Sequence, residues 1–281
     1  MLRPYLYSFF AALILLGFST FPAHAQFGTG ADPETDFKIT VKSRDAKFIG
    51  TSMGGARVSI IDRRTGYIII QGITNGGTGD TALIMKDTHS RDEALWSEGA
   101  ADFEFSLELW EPTPVTVTAE GPLAQGQSLA KVSEDMVLIP GRDYVSGNGI
   151  MLEIPGFAVD VLSPRAHLNI THDPQTPVIV QANIVKMCGC HISEDGPWPA
   201  ARYEVSAHIY KDNILVAEMP LEYMNEPSLY QKNIKIPIPG TYRVIVTAFD
   251  SLTKEGGMDT TSFILTPASA NTPAPTPTEQ N

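Results

Sequence analysis

The residues most able to do chemistry lie in "KMCGCHIS" at 186–193, which holds both cysteines of the chain, Cys188 and Cys190, between Met187 and His191. Thiolate, thioether and imidazole together suit a soft ion, Cu(I) first and zinc next, so Cys188, Cys190, Met187 and His191 form a candidate metal-ligand set. Met219, Met224, Met258 and His208 lie in the same half and could complete such a site. Taken singly, the methionines read as core filler, and His208 as a hydrogen-bonded strand histidine. Two other outcomes compete. The pair can close as a local disulfide or bridge to a second copy, or it can cycle between thiol and disulfide. In a regular strand, positions two apart share a face, with Cα atoms about 6.6–6.8 Å apart, at the upper edge of disulfide geometry. Gly189 allows the kink that closes this distance. C-x-C-H matches neither the C-x-x-C-H of haem attachment nor the C-x-x-C of thioredoxin-like pairs. An oxidising compartment ranks the disulfide or dimer link first, soft metal second and redox exchange third.

That compartment is read from the first 25 residues. "MLRPYLYSFFAALILLGFSTFPAHAQ" has Arg3, an apolar run over 9–18 and an Ala23-His-Ala25 cleavage pattern, as expected of a signal peptide at 1–25. The apolar run is short for a membrane span, so the product is expected in the periplasm or outside the cell, with no stable span after cleavage. The formal charge of −12 disfavours nucleic acid and anionic membranes as partners, and leaves a protein or another cell-envelope component.

Elsewhere catalytic signatures are missing. "TSMGG" (51–55) and "GGTGD" (76–80) do not fit a phosphate loop, and neither G-x-S-x-G nor H-E-x-x-H occurs. Asp87, His89, Asp92 and Glu93 gather within seven residues, a base or hard-metal pattern in principle, but in a polar loop they read as a solvated turn. Asn169-Ile-Thr171 matches a glycosylation sequon. No enzyme activity is expected.

The elements that must position the cysteines are strands. Alternating, β-branched and aromatic-rich runs recur from 37–43 to 259–266, and in 103–110 Phe103, Phe105, Leu107 and Leu109 share one face. "DRRTG" (62–66), "KDN" (211–213) and "IPGTY" (238–242) supply the turns, and only 87–102 offers a helical turn. The fold class is all-β, two tandem antiparallel sandwiches of immunoglobulin-like type. We place a flexible N-terminus at 26–36, a first domain at 37–164, a linker at 165–177, a second domain at 178–266 and a disordered Pro/Thr-rich tail at 267–281.

Two stretches carry resemblances. "ARVSIIDRRTGYIIIQGITNGGTGDT" (56–81), with its Asp62–Gly66 turn and Gly72–Thr74 segment, resembles transthyretin-like and carboxypeptidase-regulatory-like sandwiches. Over 178–266, "GTYRVIVTAFDSLTKEGGMDTTSFIL" (240–265) resembles the last strands of immunoglobulin-like or fibronectin-type modules, with Tyr242 near a sheet corner. These resemblances imply binding, spacing or structural roles and bring no catalytic residues.

Overall fold

The structure is a computed structural model and describes residues 33–86, 88–173 and 175–267. The expected signal peptide at 1–25 and the expected tail beyond Pro267 lie outside the described residues.

The chain is built almost wholly of strands. The first sandwich contains β1 (Glu34–Ser43), β2 (Arg57–Asp62), β3 (Ile68–Ile73), β4 (Phe103–Glu108), β5 (Thr113–Gly121), β6 (Ala130–Leu138) and β7 (Ile150–Ile154). Its sheets run β4-β1-β7 and β3-β2-β5-β6. The second contains β8 (Phe157–Ser163), β9 (Leu168–Thr171), β10 (Val178–Lys186), β11 (Tyr203–Lys211), β12 (Ile214–Pro220), β13 (Glu222–Tyr223), β14 (Leu229–Ile234), β15 (Gly240–Asp250) and β16 (Glu255–Thr266). Its sheets run β13-β14-β10-β8 and β12-β11-β15-β16-β9. The fold is two tandem β-sandwiches.

Alternation decides which side chains meet. In the first sandwich Phe37, Ile39 and Val41, with Leu152 and Ile154 of the same sheet, share one core with Val58, Ile60, Val115 and Val117 of the other. Phe103, Phe105 and Leu107 pack against it as their spacing predicts, and Trp110 is exposed. In the second, Val180, Ala182 and Ile184 of β10 meet Val205, Ala207, Val244, Val246 and Phe263. Turn chemistry also acts as expected. Gly66 closes the β2–β3 hairpin at φ 75°, and Asp212 and Asn213 turn β11 into β12 at φ 53° and 64°. Tyr242 ties the corner before β15 by donating its hydroxyl hydrogen to the Ile238 carbonyl at 2.6 Å.

The pairings add detail to the expected layout. β8 pairs with β10 and β9 with β16, so residues 165–177, expected as a linker, hold a paired strand. Their polar, proline-rich composition reports an edge strand instead, with Asn169 and Thr171 exposed and Leu168 and Ile170 half-buried. The N-terminus is ordered earlier than expected, because Glu34 already pairs with Glu108. The helical turn is Thr81–Ile84, capped by Asp80 accepting from the Leu83 N–H at 3.0 Å, and no helix forms in the described part of 87–102. Pairing is not uniformly antiparallel: β1–β7 and β9–β16 run parallel, as strands distant in sequence are free to do.

Candidate functional site

β10 carries the motif to the joint between the sandwiches and ends there. The Gly189 N–H donates to the Lys186 carbonyl at 2.7 Å, and the Lys186 N–H donates to the Cys190 carbonyl at 3.2 Å. Val185 and His191 then bridge, so Lys186–Cys190 is a tight reversal. Cys188 and Cys190 form a disulfide within it, their Cα atoms 5.3 Å apart. The contraction from strand spacing comes from Gly189, whose φ of 75° is a conformation other residues rarely adopt.

The candidate ligands diverge from this turn. Cys188 and Cys190 are 1% and 7% exposed and belong to the second core. Met187 is buried on the other side, in the first core with Val185 and Ala158, and His191 is exposed. A disulfide presents no thiolate, so in this state the four do not form one ligand set. Met219 packs against the second core, whereas Met224 and Met258 are exposed instead of filling it. His208 is hydrogen-bonded, its Nε2 lying 3.1 Å from the Thr247 hydroxyl.

Around the turn, charge is taken into the interior and paired. The side chains of Lys186 and Glu255 are fully buried and form an ion pair. The second Glu255 oxygen accepts from the Gly156 N–H at 2.9 Å, which fixes the inter-sandwich connection. Lys186 also sits over the Phe157 ring, 4.5 Å from its centroid. Nearby, Arg202 lies 2.7 Å from Asp45 of the first sandwich and 2.5 Å from Asp250 of the second. Burial pushes the Asp250 carboxyl up, but hydrogen bonds from Arg202, the Leu252 N–H and the Thr253 hydroxyl outweigh it and hold it below the usual carboxylate range. The Trp198 indole donates to the Asp45 carbonyl at 2.9 Å. Met53, from a short turn in the first sandwich, lies against Gly189, where an added Cβ would come within 2.8 Å of its sulfur. A cleft of about 320 Å³ at the disulfide is lined by Lys47, Ser52, Thr78, His191, Pro197 and Trp198 together with Cys188–Cys190.

The acidic loop forms a local network. Glu93 pairs with Lys86, accepts from the Ser90 N–H at 3.2 Å and stands 3.7 Å from His89 Nδ1. The Lys86 hydrogen bond holds the Glu93 carboxyl below its ordinary range. Asp92 is exposed, and Asp87 lies outside the described residues. Among the described residues no group of three His, Cys, Asp or Glu is placed to hold a metal.

A second feature lies at the far edge of the second sandwich. β12 is an edge strand whose Ile214, Leu215 and Val216 are 68%, 47% and 54% exposed. Ile209 pairs with Ala217 and Tyr210 with Leu215, so Val216 is the extra residue of a bulge. It stands at the mouth of an apolar cleft of about 250 Å³ formed with Ile209, Ala217, Met219, Ile236 and Tyr242. Sequence reading missed this cleft, although three consecutive apolar residues beside a turn are its signal. It also missed Lys186, a cation at an inward β10 position, and Trp198.

No family model matches the chain, and no curated protein matches it. Solved structures to which the chain shows similarity include an engineered protein, 16% identical over 47% of this chain and 24% of its own, at a TM-score of 0.28. The chain thus spans about a quarter of that protein's length. The fibronectin(III)-like modules of Clostridium thermocellum CbhA are 10% identical over 83% of this chain and 87% of theirs, at 0.28. The titin Ig tandem domains A164-A165 are 8% identical over 83% and 100%, at 0.24. Among the described residues no helix is long and apolar enough to cross a membrane.

Proposed function

We propose that this chain is an exported, non-catalytic binding and structural module that works in the periplasm or outside the cell and takes a protein partner at the β12 edge. The observation that carries the reading is the exposed run Ile214–Val216 at the mouth of an apolar cleft. Aliphatic side chains beside a concave apolar surface gain from being covered, at about 25 cal/mol per Å² removed from water. The bulge at Val216 disrupts the hydrogen-bonding edge, which disfavours pairing with a second copy and favours capture of side chains in the cleft. Apart from Lys211 and Lys235 the cleft's lining is apolar, which favours an extended segment with apolar anchors. The N-terminal export pattern and the single cystine fit an oxidising compartment.

The test uses arrayed ten-residue peptides that alternate apolar and polar residues, beside all-polar controls. The alternating peptides should bind the wild-type protein, and binding should be lost in Val216→Lys. Equal binding by the variant, or by the all-polar controls, would overturn the assignment. So would turnover of an ester, peptide or glycoside substrate that a single polar substitution abolishes.

A further inference from the structure

The disulfide encloses a single residue, Gly189. Cross-linking so short a loop removes little entropy from the unfolded chain. The joint is already fastened by the Arg202–Asp45 ion pair and the Trp198 hydrogen bond to the Asp45 carbonyl. A stabilising role therefore accounts poorly for the bond, and its surroundings indicate another. Both half-cystines border the 320 Å³ cleft, and Lys47 borders it too. Lys47 donates to the Thr81 hydroxyl at 3.0 Å, and among the described residues no carboxylate pairs with it. A cleft bordered by both half-cystines and by a lysine with no carboxylate partner among the described residues suits attack by a thiolate, because nearby positive charge favours the anionic sulfur.

We propose that Cys188–Cys190 is a thiol–disulfide exchange site for small thiols that enter the cleft. The thiolate sulfur attacks Sγ of Cys190, the more exposed of the two. A new sulfur–sulfur bond forms to Cys190, and the Cys188–Cys190 bond breaks with its electron pair going to Cys188 Sγ. Lys47, which borders the same cleft, supplies the positive charge that favours this anion. A second thiolate then attacks the mixed disulfide and leaves as a small-molecule disulfide. Both cysteines end as thiols with protons from solvent, so two thiols are oxidised and one cystine is reduced. Opening the ring removes the covalent constraint that holds Gly189 against Met53. The exchange site stands apart from the β12 cleft and does not depend on it.

The experiment incubates native full-length protein in a reduced glutathione series, alkylates without denaturant and reads intact mass. Opening should yield two alkylated thiols at glutathione concentrations that leave the urea midpoint unmoved. Lys47→Gln should slow opening about three- to tenfold at unchanged urea midpoint. In Cys188→Ser, oxidised glutathione should give one adduct, at Cys190. Opening only at the rate of global unfolding, measured in parallel in urea, would overturn the proposal. An unchanged rate in Lys47→Gln, or no adduct in folded Cys188→Ser, would do the same.

Discussion

The sandwich joint and the β12 edge distribute polarity in opposite ways. At the joint, Lys186, Glu255 and Asp250 are drawn into the interior, and each is held by an ion pair. At the edge, Ile214, Leu215 and Val216 are left in water. A buried ion pair adds little net stability over an apolar replacement, yet it tolerates few alternative geometries. Exposed aliphatics on an edge add nothing to the isolated chain and gain only when covered. The contrast separates a region that fixes how one sandwich sits on the other from a region left available to a partner.

Removing one member of the fully buried pair tests the first half of that contrast most severely. Lys186→Met strands the Glu255 carboxylate and should lower unfolding free energy in urea by about 3–5 kcal/mol. Lys186→Met/Glu255→Leu should lose less than about half as much, because no charge is then left unpaired. Equal losses in both variants would mean that the pair acts only through packing.

Asp250→Asn comes next. Loss of the charged partner of Arg202 should cost about 1–3 kcal/mol at pH 7. The folded carboxyl titrates below its unfolded value of about 3.9, so its contribution is complete above that pH and is lost as pH falls through the lowered value. Wild-type stability should therefore fall more steeply than that of Asp250→Asn below about pH 4. Parallel curves from urea midpoints at several pH values would place the acid sensitivity elsewhere.

Gly189→Ala probes the turn itself. A Cβ at φ 75° and 2.8 Å from the Met53 sulfur should destabilise by about 1–2 kcal/mol in thermal or urea unfolding. A neutral substitution would show that the turn relaxes freely against the first sandwich. The smallest change is expected at the edge. Val216→Lys should alter stability by no more than about 0.5 kcal/mol while it abolishes peptide capture. A large loss of stability there would make Val216 a core residue and dissolve the contrast.

The strand periods, the hairpin at Asp62–Gly66 and the Tyr242 corner were legible because each is a local rule. Alternation and turn residues act within a few positions. β6 was not recognised, since Ser133, Glu134 and Asp135 interrupt its alternation. It is an outer strand whose central residues face solvent, so burial never selected for the pattern. β9 was hidden for the same reason inside a segment read as a linker.

At the site, the sequence by itself determined that Cys188 and Cys190 share a strand end with a glycine able to bend them together. It also determined that Gly-containing turns and alternating strands would form sandwiches. Only the tertiary structure decided that the turn lies at the joint, that Met187 faces one core while the cysteines face the other, and that Lys186 meets Glu255, 69 positions away. Likewise it brought Lys47 and Trp198 to the lining of one cleft, and Val216 to that of another. The physical reason is range. Backbone preferences and side-chain alternation are set by neighbours in the chain, whereas burial and charge pairing depend on which distant strands the sheets bring side by side.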